Sequence, residues 1–166
     1  IEVVSLFGPK IKPSKEDLRD IDIMLFDMQD VGTRFYTYIT TLHYIMEACA
    51  ESNIEVIVLD RPNPNDYFID GPILDEKCKS FIGMHPIPIV HAMTMGEYAK
   101  MINGEGWLNN GIQCPLKVIP MKNYHHGKYY KLPVAPSPNI NMETTIYHYP
   151  SFCWYGSTAI SDGRGT

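Results

Sequence analysis

The stretch that decides the fold is Ile23-Met-Leu-Phe-Asp-Met-Gln-Asp-Val-Gly-Thr-Arg-Phe-Tyr-Thr-Tyr38. Its apolar run, Ile23 to Phe26, stops at Asp27 and gives way to carboxylates, an amide and a glycine. Apolar runs bounded in this way are typical of strands that a parallel sheet buries on both faces. Polar groups just past the carboxyl end of such a strand lie where open α/β sheets bind ligands. The stretch therefore predicts a buried parallel strand with a candidate site at its end.

The same layout returns twice along the chain. Glu55–Leu59 runs directly into Asp60, and Ile87–Val90 leads into His91. If all three runs are strands of one parallel sheet, their carboxyl ends lie at the same edge. We therefore expect one polar cleft, with Asp27, Asp60 and His91 facing a common pocket.

Helix and strand patterns alternate around these runs. We predict a first short strand at Val3–Phe7, a helix that Ser14 caps, and a further strand at Leu116–Ile119. A helix of roughly fifteen residues is predicted to end near Ser52. Its buried face is expected to hold four apolar residues at helical spacing, namely Ile39, Leu42, Met46 and Cys49. This alternation predicts an α/β, Rossmann-like fold with a mainly parallel sheet and helices on both faces.

The chain between and beyond these elements is rich in proline. Residues 61–88 contain five prolines and predict a long ordered loop, which in a compact domain is usually functional or a lid. Residues 120–140 are also loop-like. Asn141 is predicted to cap a last helix, Met142–Tyr149, which Pro150 kinks or ends. We assign residues 1–110 to the Rossmann-like part of a catalytic domain and residues 111–166 to the beginning of a smaller C-terminal α+β domain.

Composition argues against several classes of function. The 166 residues carry a net charge of −5 without any block of Lys or Arg, which disfavours a nucleic-acid-binding surface. No apolar stretch approaches the roughly 18 residues of a membrane-spanning helix. The four cysteines form no close pair, so we expect no metal site, although one disulfide stays open. No GxGxxG motif follows a strand, which disfavours a nucleotide cofactor, and we expect no cofactor.

Each candidate side chain also has a structural interpretation. Asp27 and Asp30 can act as general acid–base groups, bind a metal or cap the next helix. Arg34 can pair with Asp30 or hold a substrate carboxylate. Tyr36 can stack on a sugar ring or fill the core.

Two further groups are interpreted as structural. Glu97 completes a capping box with Thr94 at the start of a helix. His125 and His126 stand among lysine and tyrosines and are predicted to lie in a solvated loop.

Several distinctive motifs follow one another along the chain. They are Phe26-Asp-Met-Gln-Asp-Val-Gly-Thr-Arg-Phe-Tyr-Thr-Tyr38, Asp60-Arg-Pro-Asn-Pro64, Gly71-Pro-Ile-Leu-Asp75, Gly83-Met-His-Pro-Ile-Pro-Ile-Val-His91, Met101-Ile-Asn-Gly-Glu-Gly-Trp-Leu108, Pro136-Ser-Pro-Asn139, Tyr149-Pro-Ser151 and Gly163-Arg-Gly-Thr166. In this order they resemble the bacterial exo-β-N-acetylmuramidase family, long described as a domain of unknown function.

The resemblance implies a Rossmann-like domain joined to a smaller domain, with the site between them. It implies hydrolysis that removes N-acetylmuramic acid from the non-reducing end of peptidoglycan fragments, and hence a periplasmic or extracellular protein. Such glycosidases use two carboxyl groups, for which Asp27, Asp30 and Asp60 are the catalytic candidates. Arg34 and Arg61 would pair with the lactyl carboxylate of muramic acid. The full set of substrate-binding candidates is Gln29, Arg34, Tyr36, Arg61, Asn63, His91 and Asn139.

The chain departs from the family pattern in two places. Family members carry a Pro-Glu-His-Gly motif before this region, and its Glu is the favoured catalytic acid; this chain begins at Ile1, after the motif, and is interpreted as a piece of a longer protein. Where the family usually has Glu-Gly-Thr-Asn, this chain has Gly156-Ser-Thr-Ala159. The alternative function is therefore a non-catalytic module that binds muropeptides or other glycans.

Overall fold

Three parallel strands form the sheet of this protein. The structure, a computed structural model, describes residues 3–155 and Thr158. Strand β1 (Ile23–Phe26) pairs with β2 (Glu55–Leu59), and β2 pairs with β3 (Leu116–Ile119), in the order β1-β2-β3. Phe26 lies beside Val58, and Val58 beside Val118. The predicted parallel sheet of an α/β fold is confirmed.

Two helices cover one face of this sheet. Helix α1 (Tyr38–Glu51) connects β1 to β2, and α2 (Met95–Gly104) follows β2 and precedes β3 along the chain. Their apolar sides pack with Phe26, Val56 and Val58 into the main core, and the two helices contact each other. The predicted buried face of α1 is confirmed, because Ile39, Leu42, Met46 and Cys49 are all buried.

The opposite face of the sheet is open within the described residues. Side chains alternate along a strand, so Leu25 and Ile57, which lie side by side, point away from the helices. Leu25 is 61% exposed, and Ile23 and Ile119 on the same face are exposed too. We predicted helices on both faces, whereas the described helices α1 and α2 pack on one.

Helix α2 begins with the capping box that the sequence predicts. The Thr94 hydroxyl accepts from the Glu97 N–H, and the Glu97 carboxylate accepts from the Thr94 N–H. This arrangement satisfies two backbone donors at the helix start. Helix α1, by contrast, has no side-chain cap at Thr37.

The third apolar run is not a strand of the sheet, which corrects our prediction. Val90 makes only isolated bridges, to Thr33 and to Asp70. Pro86 and Pro88 lack the N–H that a strand donates, so this run cannot sustain a ladder. It belongs to the long loop after β2, which contains one 3₁₀ turn, Glu76–Cys78.

Three other local predictions are corrected. Val3–Phe7 pairs with no strand, and its ends are strongly exposed, at 88% for Val3 and 87% for Phe7. The segment after Ser14 forms turns rather than a helix, although the Ser14 N–H donates to Asp17. Helix α3 spans Glu143–His148, and its N-cap is Met142 rather than Asn141.

The sheet continues beyond residue 110, because β3 is its third strand. Helix α3 and the 3₁₀ helix Tyr149–Trp154 that follows it lie against a second, smaller core that contains Val31, Tyr36 and Ile146. A further 3₁₀ turn spans Asn109–Gly111. The boundary between two domains stays a prediction.

Candidate functional site

A polar cleft lies at the carboxyl edge of the sheet, where β2 and β3 end. It consists of two adjoining cavities of about 600 and about 350 Å³, which we call the carboxyl-edge cleft. Both cavities are lined by Glu97 and His126; the first also contacts Asp66 and His91, and the second contacts Asp60. We expected three side chains in a common pocket, and two of them line the cleft. His91 lines the first cavity and Asp60 lines the second.

Asp60 is held by hydrogen bonds to the start of helix α2. Its Oδ1 accepts from the Gly96 N–H at 2.8 Å and from the Arg61 N–H at 3.0 Å, and its Oδ2 accepts from the Thr94 hydroxyl at 2.9 Å. Negative charge is favourable at a helix N-terminus because of the helix dipole. Gly96 allows this close approach, since a Cβ there would lie 2.8 Å from the Asp60 carboxyl carbon. Both oxygens therefore have a structural partner.

Asp27 lies outside the carboxyl-edge cleft and is paired with Arg61. The Arg61 Nε donates to Asp27 Oδ1 at 2.5 Å, and both side chains are more than two-fifths exposed. This bond lowers the pKa of Asp27 and raises the pKa of Arg61. The pair joins the ends of β1 and β2 at the surface, and such exposed pairs usually contribute under about 1 kcal/mol to stability.

Asp30 and His91 form a buried pair. Asp30 Oδ2 accepts from the Gly32 N–H at 2.8 Å and lies 3.4 Å from His91 Nε2. The Met93 N–H donates to His91 Nδ1 at 3.2 Å, so the ring proton is on Nε2, facing Asp30. The carboxylate therefore orients the ring of a residue that lines the cleft.

Four buried polar atoms around this pair have no hydrogen-bond partner among the described residues. They are Asp30 Oδ1, His91 Nε2, Thr33 Oγ1 and Asn65 Oδ1. The four residues come from three segments that meet here, since the Asn65 side chain donates to the Val31 carbonyl and Thr33 bridges to Val90. A buried polar group without a hydrogen bond costs on the order of 1–3 kcal/mol, although His91 Nε2 keeps its 3.4 Å contact with Asp30. Such a group calls for a partner such as an ordered water or a ligand, or for a catalytic role.

Gln29 and Asn63 brace the backbone beside Asp30. The Gln29 amide donates to the carbonyls of Asp30 and Pro62. The Asn63 amide donates to the Met93 carbonyl, and its oxygen accepts from the Asn65 N–H. Their substrate-binding role stays a prediction, while these bonds hold three segments of the site together.

Arg34, between β1 and α1, points its side chain at the long loop rather than at the carboxyl-edge cleft. Its guanidinium donates to the carbonyls of Pro72 and Ile87. The side chain therefore fixes two distant parts of the loop to the start of α1. Its proposed contact with a substrate carboxylate stays a prediction.

Tyr36 and Asn139 meet in a separate cavity of about 180 Å³. The Tyr36 hydroxyl donates to the Pro136 carbonyl, and its ring packs edge-on against Tyr38 and Tyr149. Burial raises the pKa of Tyr36. Both residues are distant in sequence yet adjacent in space, on the side of the small core.

Three residues of the carboxyl-edge cleft were missing from our candidates. His126 Nε2 lies 2.8 Å from Glu97 Oε1, and its Nδ1 lies 3.5 Å from Asp66 Oδ2. Asp66 also accepts from the Tyr124 hydroxyl and the Gly127 N–H. The capping box uses one oxygen of Glu97, which is why the sequence assigned it a structural role alone, and no local pattern places His126 or Asp66 beside it.

Other types of site find no support in the described residues. No group of three or more His, Cys, Asp and Glu side chains there is arranged to hold a metal ion. Within the same residues, no helix combines the length and the apolar character needed to cross a membrane.

Comparison with known proteins identifies the family. The profile of the family described as "Exo-beta-N-acetylmuramidase NamZ, N-terminal" matches residues 1–144. The chain is 45% identical over 171 aligned residues to the peptidoglycan beta-N-acetylmuramidase NamZ of Bacillus subtilis (strain 168), covering all of this chain and 40% of that protein.

Two crystal structures of DUF1343 family proteins from Bacteroides fragilis NCTC 9343 have the same fold. One is 51% identical, with a TM-score of 0.86 over 90% of this chain and 42% of that one. The other is 38% identical, with a TM-score of 0.85 over 91% of this chain and 40% of that one. The chain thus spans about two-fifths of the length of the relatives it matches. By its sequence and its fold, the chain belongs to the exo-β-N-acetylmuramidase NamZ family.

Proposed function

We propose that the protein is a glycoside hydrolase that releases N-acetylmuramic acid from the non-reducing end of peptidoglycan fragments, and that the carboxyl-edge cleft binds the sugar. The observation that carries this proposal is the convergence of Asp66, Glu97 and His126 on a cavity beside a buried Asp30–His91 pair. The similarity to a peptidoglycan β-N-acetylmuramidase supplies the class of substrate.

The first cavity of the cleft has the composition of a carbohydrate site. Its lining includes Glu97, whose side chain is 43% exposed and whose carboxylate can accept hydrogen bonds from hydroxyl and amide groups, whereas the Asp66 carboxylate is buried and holds Tyr124 and Gly127. Tyr67, Phe68 and Ile69 also line the cavity and offer apolar surface to the face of a sugar ring. A pocket with a few convergent polar groups on an apolar wall is the usual form of a small-molecule site.

The charges in the cleft are fixed by the contact between His126 and Glu97. The hydrogen bond to Glu97 raises the pKa of His126. Burial acts to raise the pKa of Glu97, but hydrogen bonds from His126 and Thr94 outweigh it and the pKa lies below its usual value. Glu97 therefore stays ionised at neutral pH and acts as an acceptor that positions sugar hydroxyls rather than as the proton donor of the reaction.

Of the three predicted catalytic carboxylates, Asp30 best fits a role in the reaction. Asp27 is committed to Arg61, and Asp60 is committed to helix α2. Asp30 retains one buried unpaired oxygen and orients His91 at the cleft wall. We place Asp30 as a positioning residue that acts through His91.

The test uses the longer protein that contains this chain and an aryl N-acetylmuraminide as substrate. Asp30→Asn keeps an oxygen that accepts from the Gly32 N–H but removes the charge beside His91. We expect kcat to fall by about 100-fold, the lower range for loss of acid–base function, and the pH profile of kcat to shift. Asp22→Asn, an exposed change at the opposite end of β1, is the matched control and should keep wild-type turnover.

Three outcomes contradict this proposal. If the wild-type protein hydrolysed the aryl N-acetylglucosaminide but not the aryl N-acetylmuraminide, the substrate assignment would be wrong. Binding of muropeptides without any turnover would indicate a glycan-binding module instead. An Asp30→Asn variant that is folded, fully active and unchanged in pH profile would remove Asp30 and His91 from the reaction.

A further inference from the structure

A second pocket, different in charge from the carboxyl-edge cleft, lies on the loop that follows β3. It has a volume of about 400 Å³, and its walls include Lys122, Lys128, Tyr124 and Tyr130. We call it the lysine pocket. None of its residues was a candidate in the sequence, because the loop has no periodic pattern.

The lysine pocket is positive in a chain whose net charge is −5. The ammonium groups of Lys122 and Lys128 have no hydrogen-bond or ion-pair partner among the residues that the structure describes. Arg61 lies close enough to Tyr130 for the two groups to interact electrostatically, but its charge is paired with Asp27, so the two lysines carry the charge of the pocket. The adjoining cleft, in contrast, carries the carboxylates of Asp60, Asp66 and Glu97.

The lysine pocket adjoins the second cavity of the cleft. Met121 and Tyr124 line both the lysine pocket and the second cavity of the cleft. The Tyr124 hydroxyl is fixed by its hydrogen bond to Asp66, so the ring forms a defined wall between the two. A ligand in the second cavity would reach the lysines by passing the edge of this ring.

We propose that the lysine pocket is a subsite for a carboxylate carried by the glycan fragment in the cleft. This inference rests on the proposed function and names the part of the substrate that the pocket recognises. N-acetylmuramic acid differs from N-acetylglucosamine by a lactyl ether that ends in a carboxylate, and attached peptides end in carboxylates as well. Lysine binds such groups as a point charge, while Tyr124 and Tyr130 cover the attached carbon chain.

The experiment compares three substrates in the longer protein: an aryl N-acetylmuraminide, its lactyl carboxamide, and a muramoyl peptide whose only carboxylates are on the peptide. The double variant Lys122→Ala/Lys128→Ala is measured beside Lys117→Ala, an exposed lysine on β3 outside the pocket. Exposed charge contacts change affinity by about twofold to fivefold each. In the wild-type protein we expect a higher kcat/KM for the acid than for the carboxamide. The double variant should reduce this ratio by roughly tenfold, mainly by raising KM for the acid, and raised salt should make the effect of the double variant smaller.

Each outcome decides a separate point. If the double variant loses kcat/KM only on the muraminide with the free lactyl acid, the pocket binds the carboxylate of the sugar. If it loses kcat/KM only on the muramoyl peptide, the pocket binds a carboxylate of the peptide. Both results support a carboxylate subsite. Equal losses on acid and carboxamide, or the same loss in Lys117→Ala, overturn it. If the wild-type protein hydrolyses none of the substrates, the proposed function fails. Calorimetric binding of N-acetylmuramic acid and its carboxamide to the same variants then still tests the pocket.

Discussion

Removing the carboxylate of Asp60 should destabilise the protein far more than removing that of Asp27. Both residues follow directly after a strand of the same sheet, so a sequence comparison treats them alike. Asp60 accepts three hydrogen bonds, two of them from Thr94 and Gly96 at the start of α2. Asp27 makes one exposed ion pair with Arg61.

The magnitudes follow from these contacts. A hydrogen bond to a charged group contributes about 1.5–3 kcal/mol, and the contributions are not additive. The helix dipole adds about 0.3–1 kcal/mol. Because Thr94 is buried, Asp60→Ala also leaves its hydroxyl without an acceptor. We expect the free energy of unfolding to fall by about 2–4 kcal/mol for Asp60→Ala, and by less than about 1 kcal/mol for Asp27→Ala.

Urea unfolding followed by circular dichroism measures both values, and Asp60→Asn refines the comparison. The amide keeps an oxygen for the Gly96 N–H but has no charge, so its loss of stability should fall between that of Asp60→Ala and zero. Hydrogen exchange should show faster opening of the first turn of α2 in Asp60→Ala. Equal losses for Asp60→Ala and Asp27→Ala, or unchanged exchange at the start of α2, would refute the assignment of Asp60 as the anchor of this helix.

Two further predictions concern packing and pH. Gly96→Ala places a Cβ 2.5 Å from a methyl carbon of Val118 and should lower the free energy of unfolding by about 1–3 kcal/mol. Gly104→Ala, whose Cβ would have no atom within 4 Å, should be neutral or stabilising by up to about 1 kcal/mol. Similar thermal midpoints for the two variants would contradict this prediction. Burial lowers the pKa of His85 in the folded protein to about 3, whereas the same side chain in the unfolded chain has a pKa of about 6.5. Between these two values only the unfolded chain binds a proton at this histidine. The free energy of unfolding should therefore fall as the pH drops from about 6.5 toward about 3. Replacing His85 with Gln should flatten that dependence in urea titrations between pH 7 and pH 4; an unchanged slope would show that His85 does not carry it.

The elements that the sequence predicted well are those with a strong local pattern. The strands β1, β2 and β3 were found as apolar runs, and α1 from its 3–4 spacing of buried residues. The start of α2 was found from Thr94 and Glu97, because a capping box involves residues only three positions apart. These signals are complete within a short stretch of chain.

The errors arose where an apolar run had to be placed in the tertiary structure. Val3–Phe7 has the composition of a strand but no partner to pair with among the described residues. Ile87–Val90 has the same composition, yet its prolines remove donors, and only Val90 makes bridges. The departures at Gly156 and Ala159, and the motif Gly163–Thr166, lie outside the described residues.

The sequence by itself determined the parallel α/β sheet, its two principal helices and the position of polar groups at the strand ends, because each depends on the periodicity of neighbouring residues. It did not determine which carboxylates face a ligand. Only the tertiary structure shows Asp60 turned to a helix, Asp27 paired at the surface, and His126 between Glu97 and Asp66. Those contacts join residues separated by tens of positions, and the path of the long loops, rather than any local pattern, brings them together.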